Sequence, residues 1–417
     1  MLNADLIYYS FYIFFTITIL TKAILLFLNM KNIKSHFNQV PAQFQDHISL
    51  EDHKKAQNYT LSKNKLNLTS LFLQAIFLIL WIEAGWLDLL HQSLTTQFES
   101  TIMTGVMFLI SFSIINSLLS LPESIYGTFV LEEKYGFNKT TPKIFLVDMI
   151  KQFALSLIIG APFLYFILKI LYTVGPLWWL YTWFFIMAFQ FIMIWAYPKF
   201  IAPLFNKFSK LDDEDLTQEI DKLSKRCDIN FKDYFVMNAS LRSSHGNAYF
   251  TGFGKNKRIV FFDTLLKSLN VDEVVSVLAH ELGHLKKKHI IKSIIMSSAF
   301  LFIGLFILGQ LYNSPKLFEA FSLSTNEAYM ALLLFVLIAP YYTFLLTPLM
   351  SWLSRKNEFE ADEFAATHAS AKKLITALLK MYKDNSSSLT PHPTYSKFYY
   401  SHPPAKERID FLKKFST

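Results

Sequence analysis

The 417-residue chain is far more apolar than a soluble protein, since 52% of its residues are hydrophobic and 42 of them are Phe. The net charge of +8 does not indicate a nucleic-acid-binding protein, because the basic residues lie beside apolar runs rather than in one aromatic-studded patch. The single cysteine, Cys227, allows no internal disulfide and cannot alone hold a metal ion.

Seven apolar runs reach the length of about 20 residues that crosses a bilayer. The first follows Asp5 and no basic residue, so it does not resemble a secretory signal and should stay uncleaved. We predict five spans in residues 1–198, with cytosolic loops at 29–65 and 122–146, and two more spans in residues 290–353. The predicted spans are Leu6–Leu28, Leu66–Leu90, Ile102–Leu121, Val147–Tyr172, Leu177–Tyr197, Ile291–Tyr312 and Tyr329–Trp352.

Positive charge predicts how these spans are oriented. Loop 29–65 carries six lysines and loop 122–146 carries Lys134, Lys139 and Lys143, whereas the alternate loops are nearly bare. The positive-inside rule therefore places the N-terminus outside and the C-terminus in the cytosol.

Several spans contain polar residues that lipid would not accept. We interpret Lys22 and Lys169, near span ends, as snorkelling to the membrane surface. Glu83 and Asn116 instead predict a polar interior between the helices.

The polar segment 199–289 contains a histidine pair with the spacing of a metal site. Residues 280–284 read HELGH, and four residues is slightly more than one helical turn, so His280 and His284 project from the same face. They can hold one Zn²⁺ at about 2.0–2.1 Å each. The metal would lower the pKa of a water molecule to about 7, and Glu281 would take its proton and pass it to the leaving amine, which is peptide hydrolysis.

The residues before the histidines predict a hairpin and then a capped helix. Asn247–Phe253 and Arg258–Phe262 flank a turn at Gly254–Lys257. The hairpin edge could bind an extended peptide as an added strand, although an ordinary packed hairpin fits equally well. Asn270 and Glu273 resemble a capping box at the start of the histidine helix.

A catalytic zinc site needs a third protein ligand. The polar segment 354–417 offers Glu358 and Asp362, four residues apart on one helical face. One carboxylate can bind the metal, and the other can orient a ligand histidine through its second ring nitrogen. By spacing alone, the choice of Glu358 over its acidic neighbours stays open. Segments 199–289 and 354–417 must meet in space, although residues 290–353 separate them.

With these residues in view, the chain resembles the type 1 CAAX prenyl protease family, integral-membrane zinc endopeptidases that process prenylated proteins. Besides HELGH, the resemblance rests on motifs spread over most of the chain, namely Glu132–Asn138, Ile201–Phe205, Ser243–Phe250, Arg258–Leu266, Ser354–Asp362 and Ser401–Pro404 followed by Arg408. It implies a mainly α, polytopic fold of seven tilted helices around a large water-filled chamber. A cytosolic α+β protease domain with a small sheet would close that chamber.

The resemblance implies that one Zn²⁺ per chain is held by His280, His284 and Glu358. It further implies that Glu281 is the general base and acid, and that Asp362 supports a ligand from behind.

Three more residues gain a role only through the resemblance. Asn247 is implied to hold the substrate backbone, His402 to stabilise the oxyanion or position the peptide, and Arg408 to support that arrangement. His245 and His289 are left outside the predicted site as surface histidines.

We therefore predict a monomeric zinc endopeptidase of the lipid bilayer that cuts prenylated CAAX-type or other membrane-associated proteins near the C-terminus. The alternatives are a quality-control protease with loose specificity and a non-catalytic chamber-forming protein. The presence of the general base Glu281 argues against the non-catalytic protein. The Phe, Ile, Lys and Asn bias and the end Phe415–Thr417, which is unlike a retrieval signal, favour a bacterial inner membrane over the endoplasmic reticulum.

Overall fold

The computed structural model describes residues 3–229, 231, 233–251 and 258–416. Within them, seven helical stretches are long and apolar enough to cross a membrane, as predicted, and the protein is mainly α-helical. These stretches are Ala4–Ser35, Leu50–Ile82, Thr101–Glu132, Pro142–Thr173, Trp178–Phe205, His289–Leu311 and Ala328–His368.

The first five spans are built from seven helices, α1 Ala4–Ser35, α2 Leu50–Ile82, α4 Thr101–Tyr126, α5 Pro142–Leu155, α6 Ala161–Thr173, α7 Trp178–Ala196 and α8 Ala202–Phe205. A short helix, α3 Trp86–Thr95, follows α2 outside the spans. Three of the spans contain a π-helical turn: Gly127–Glu132 extends α4, Ser156–Gly160 joins α5 to α6, and Tyr197–Ile201 joins α7 to α8.

The second predicted span, Leu66–Leu90, is wrong at its end. Helix α2 stops at Ile82, and Gly85 adopts a left-handed φ of 74° before α3 begins as a separate helix. Glycine enters this region without the steric cost that a Cβ imposes. Glu83 is therefore the C-terminal cap of α2, where it accepts a hydrogen bond of 2.5 Å from the Tyr12 hydroxyl of α1.

Asn116 does face a polar space between helices. It accepts a hydrogen bond from the Trp81 indole at 3.2 Å and lines a cavity of about 320 Å³ together with Lys22 and Gln74. The ammonium of Lys22 lies 5.4 Å from the centre of the Phe344 ring. Lys22 thus lines this cavity between the spans.

The fifth and sixth spans bury few of their residues against the rest of the protein. The buried residues of Trp178–Phe205 are Trp178, Thr182, Met187 and Ala202, and those of His289–Leu311 are His289, Leu305 and Leu308. These two spans pack on each other. The fifth span also packs on α6, and the sixth span also contacts the seventh.

The rest of the chain forms the last two spans and the part predicted to be catalytic, residues 199–289 and 354–416, which we call the catalytic part. Its helices are α9 Glu214–Arg226, α10 Asp263–Ser268, α11 Val271–Lys286, α12 His289–Leu311, α13 Pro315–Glu319, α14 Ala328–Thr343, α15 Thr347–His368, α16 Ala371–Asp384, α17 Pro393–Tyr399 and α18 Ala405–Lys413. Helix α15 continues the seventh span out of the membrane and into the catalytic part.

The catalytic part contains a four-stranded mixed sheet in the order β1-β2-β4-β3. The strands are β1 Phe208–Lys210, β2 Asp233–Met237, β3 Ala248–Thr251 and β4 Arg258–Phe262. Strands β3 and β4 pair antiparallel as the predicted hairpin requires, and β2 lies parallel to β4 on its other side. The predicted turn at Gly254–Lys257 and the end of the first predicted strand lie outside the described residues.

The two polar segments share one hydrophobic core, as predicted from their separation in sequence. The sheet and α11 pack together through Phe261 and Leu278, and α16 and α18 add Leu374 and Leu412 to the same cluster. Burial of these side chains stabilises each segment only when the other is present. Residues 354–416 therefore complete the fold that 199–289 begins.

Polar contacts fasten this catalytic part to the membrane helices. Arg242 makes a two-pronged ion pair with Asp148, with N···O distances of 2.7 and 3.0 Å. Near the C-terminus, the backbone N–H of His392 donates to the fully buried Asn29 side chain at 2.9 Å. The stretch that leads to His402 is thereby attached to the C-terminal end of α1.

Candidate metal centre

Helix α11, which carries the histidine pair, begins with the predicted capping box. The Asn270 side chain accepts from the Glu273 backbone N–H at 3.0 Å, and Glu273 accepts from the Asn270 N–H at 2.9 Å. Lys380 on α16 adds an ion pair to Glu273 at 2.7 Å. Burial alone would raise the pKa of the Glu273 carboxyl. The contact with Lys380 outweighs burial, so the pKa of Glu273 lies below its ordinary value. The helix start is thus fixed three turns before the metal ligands.

Helices α11 and α15 approach each other unusually closely at the site. A Cβ placed on Gly283 would lie 2.8 Å from the Ala361 Cα and 3.1 Å from the Phe364 Cβ. Only glycine at 283 and a small residue at 361 allow this contact. It brings the His280–His284 face of α11 against the Glu358 face of α15.

The three predicted metal ligands come together. His280 Nε2 lies 3.2 Å from His284 Nε2 and 3.5 Å from Glu358 Oε2, and His284 Nε2 lies 3.3 Å from Glu358 Oε1. A tetrahedral ion with bonds of about 2.0–2.1 Å separates its ligand atoms by about 3.3–3.4 Å. The observed spacing is that of the corners of such a site.

The chemistry of these groups also fits a metal ion. Glu358 is 4% exposed, and its Oε2 is buried without a hydrogen bond of good geometry. His402 Nδ1 lies close to this oxygen, and a bound cation would further offset the cost of burying the carboxylate. Two imidazoles and one carboxylate are a common ligand set for catalytic zinc.

His280 is supported from behind by a buried ion pair. Its Nδ1 donates to Asp362 Oδ1 at 2.8 Å, and Arg408 donates to the same carboxylate at 2.6 and 2.9 Å. Burial lowers the pKa of His280, but the hydrogen bonds to Asp362 and Glu358 outweigh it and raise that pKa to about 9. Burial likewise opposes the charge of Arg408, but Asp362 outweighs it and raises the Arg408 pKa.

His284 is supported by residues that sequence reasoning missed. His289, which we predicted to be a surface histidine, is 5% exposed, and its Nδ1 lies 2.9 Å from His284 Nδ1. Its Nε2 lies 3.1 Å from Glu360 Oε2. A histidine five residues after the predicted ligand pair has no recognisable helical spacing, so its position could not be recognised from the sequence.

His402 lies at the open side of the site. Its Nδ1 is 2.7 Å from Glu358 Oε2, while its side chain is 65% exposed. Glu281 is partly exposed on the first turn of the histidine motif. Both of these predicted site residues are thus accessible to solvent.

Asn247 stands at the start of the edge strand β3. Its side chain is exposed and accepts from the Ala248 backbone N–H at 2.8 Å. Among the described residues β3 pairs only with β4, and it packs beside α11. His245 lies apart, 3.0 Å from Asn385 and stacked on Phe137, in agreement with its exclusion from the predicted site.

Comparison with known proteins covers almost the whole chain. A family described as CAAX prenyl protease N-terminal, five membrane helices, matches residues 29–207. Peptidase family M48 matches residues 210–416. The first match covers the second to fifth spans and only the C-terminal end of α1, and the second contains every predicted site residue.

Individual proteins give the same result. The CAAX prenyl protease 1 of Saccharomyces cerevisiae is 35% identical over 404 residues, which cover 90% of this chain and 88% of that protein. The CAAX prenyl protease 1 homolog of Oryza sativa is 36% identical over 377 residues, or 88% of each chain. The crystal structure of S. mikatae Ste24p superposes with a TM-score of 0.91 at 32% identity and covers 99% of both chains. The predicted fold, seven membrane helices around a chamber with an α+β protease domain, is thus confirmed. The chain belongs to the CAAX prenyl protease 1 family within peptidase family M48 and is a membrane metalloendopeptidase.

Proposed function

We propose that this protein is a zinc-dependent endopeptidase whose metal is held by His280, His284 and Glu358. The observation that carries the proposal is the convergence of these three side chains, whose ligand atoms all lie within 4.8 Å of one another. Asp362 and Arg408 hold His280 in place. One ion per chain satisfies the buried Glu358 carboxylate.

A bound zinc ion would polarise the scissile carbonyl and make a water molecule more acidic. Glu281 takes the proton of the attacking water at its carboxylate and delivers it to the amine nitrogen as the C–N bond breaks. His402 donates a hydrogen bond to the developing oxyanion, a contribution often worth a few kcal/mol. Asn247, at the start of β3, holds the substrate backbone.

The substrate is proposed to be a membrane-associated protein that is cut near its C-terminus, prenylated CAAX-type proteins being the leading class. Support comes from the curated relatives, whose names describe CAAX prenyl proteases. Loose-specificity proteolysis is the second candidate, because the edge strand β3 can bind any extended backbone through main-chain hydrogen bonds. The non-catalytic alternative has lost its support, since Glu281 and the ligand set occur together in a peptidase family.

The remaining proposals concern how the protein sits in the cell. Lysine-rich loops support an external N-terminus and a cytosolic site, with segments 199–289 and 354–417 acting as one catalytic unit. We further propose a monomer. A bacterial inner membrane stays the preferred location, with the endoplasmic reticulum as the alternative.

The decisive experiment compares purified wild-type protein with two variants. Glu281→Gln should abolish peptide cleavage and retain about one zinc per chain, whereas Glu358→Ala should lose the zinc as well. Unchanged cleavage by Glu281→Gln would reject the mechanism. Full zinc content in Glu358→Ala would place the third ligand elsewhere.

Substrate class can be tested with matched peptides. A peptide ending in a prenylated CAAX sequence and the same peptide without the lipid are compared in kcat/KM, together with an unrelated unfolded peptide. Strong preference for the lipid-bearing peptide supports CAAX processing. Equal cleavage of all three supports the loose-specificity alternative.

A further inference from the structure

The second imidazole of the site is held by a pair of residues that has no role in the mechanism so far. His284 Nδ1 lies 2.9 Å from His289 Nδ1, and His289 Nε2 lies 3.1 Å from Glu360 Oε2. We propose that His289 and Glu360 are positioning residues that fix the ring orientation and the tautomer of His284. This inference rests on the proposed role of His284 as a metal ligand.

The hydrogen atoms along this contact chain can be assigned in one way. A histidine that binds metal through the Nε2 lone pair carries its proton on Nδ1. His284 Nδ1–H then donates to the Nδ1 lone pair of His289, which must carry its own proton on Nε2. That proton is donated to the Glu360 carboxylate. In this arrangement His284, His289 and Glu360 each have a hydrogen-bond partner, and both imidazole rings are neutral.

The backbone explains how His289 reaches this position. Continued at about 100° per residue, an unbroken helix would place a residue five positions after His284 about 140° away around the axis. Instead α11 ends at Lys286, and Lys288 adopts a left-handed φ of 58° before α12 starts at His289. The break turns His289 back over His284 and buries it. A left-handed non-glycine residue is unfavourable, so surrounding contacts must maintain it.

The two imidazoles are then supported in parallel from α15. Asp362 accepts a hydrogen bond from His280 directly, whereas Glu360 accepts one from His289, which in turn accepts one from His284. Glu358, two residues before Glu360, is itself the proposed third ligand. One helix thus orients all three metal-binding side chains. Partners of this kind are typically worth about 10–100-fold in metal affinity.

The test measures metal affinity and ligand geometry in full-length protein. Co²⁺ is titrated into metal-free protein against a chelator, and its visible spectrum reports coordination. His289→Ala and Glu360→Ala should each weaken Co²⁺ binding by about 10–100-fold and alter the spectrum. His289→Gln should restore affinity, because one amide can accept from His284 and donate to Glu360. Lys292→Gln is the matched control, since Lys292 Nζ lies 3.9 Å from Glu360 and its side chain is 55% exposed.

The proposal is overturned if both alanine variants bind Co²⁺ with the affinity and spectrum of the wild type. It is also overturned if His289→Gln is as weak as His289→Ala, which would indicate that only the ring shape matters. Should His289→Ala fail to fold, Glu360→Ala decides, because it leaves the buried histidine in place. If His280→Ala itself leaves Co²⁺ binding unchanged, the proposed metal site has failed instead.

Discussion

Gly283 and Ala361 touch backbone to backbone, and this contact sets the distance between the helix of the histidines and the helix of Glu358. A Cβ on Gly283 would lie 2.8 Å from the Ala361 Cα and 3.1 Å from the Ala361 carbonyl oxygen. Neither obstacle is a flexible side chain. The two helices would therefore have to separate to admit even one methyl group.

Gly283→Ala should accordingly lower both stability and metal content. Overpacking of a tight interior contact costs about 1–3 kcal/mol, which outweighs the gain of up to about 1 kcal/mol in helix propensity. Thermal unfolding and zinc content would be measured on the same preparation. Gly304→Ala on α12 is the control, because its Cβ would meet its nearest neighbour at an ordinary 3.7 Å. Normal zinc content in Gly283→Ala would show that the helices can shift without loss of the site.

His402→Ala should reduce turnover while the metal stays bound. His402 Nδ1 lies 2.7 Å from Glu358, yet the side chain is 65% exposed and stands outside the three-ligand set. Loss of one oxyanion donor typically lowers kcat by about 10²–10³-fold. The measurement is kcat with zinc content on each preparation, and His402→Gln, which keeps a donor, should be less impaired. Loss of zinc in His402→Ala would instead give this residue a structural role at the metal.

Sequence patterns predicted the metal ligands because their spacing is local. His280 and His284 share one helical face whatever the rest of the chain does, and the choice of Glu358 required the family resemblance. The relation of His289 to His284 depends on a left-handed residue, Lys288, between two helices. Such a break leaves no periodic trace, so the same sequence gave no reason to include His289.

The fold shows the same division between local and distant information. The pairing of β3 with β4 was predicted, since adjacent strands with a short connection form hairpins. The parallel pairing of β2 with β4 was not predicted, because these strands are not adjacent in the chain and β3 lies between them. The end of the second span was also missed, since hydropathy does not register the turn at Gly85.

Arg408→Met should be strongly destabilising even though it replaces a charge by an apolar chain. Arg408 is 7% exposed, Asp362 is fully buried, and the variant leaves the Asp362 carboxylate without its main partner. Breaking one side of a buried ion pair costs about 3–5 kcal/mol. Denaturant unfolding of the metal-free protein would measure this cost. The double variant Arg408→Met with Asp362→Asn should recover part of it, and an equal or larger loss in the double variant would contradict the explanation.

Metal uptake should depend on pH through His280. In the metal-free protein its pKa is raised to about 9, so at neutral pH the ring carries a proton that a metal ion must displace. Affinity for Zn²⁺ should therefore rise by about tenfold per pH unit from this group up to about pH 9 and then level off. Binding at pH 7 should release this proton, which a pH indicator in weakly buffered solution detects.

The same protonation has the opposite effect on the metal-free fold. Because the pKa of His280 is higher in the folded state than its ordinary 6.5, its contribution to the free energy of unfolding is complete below about pH 6.5 and is lost as the pH rises through about 9. Metal-free protein should thus lose thermal stability over the interval in which metal affinity increases. Asp362→Asn is the control, since removal of this carboxylate lowers the pKa of His280 and should move both changes to lower pH. Zinc affinity that stays constant between pH 6.5 and 9 in the wild type would show that His280 is already neutral before the metal arrives.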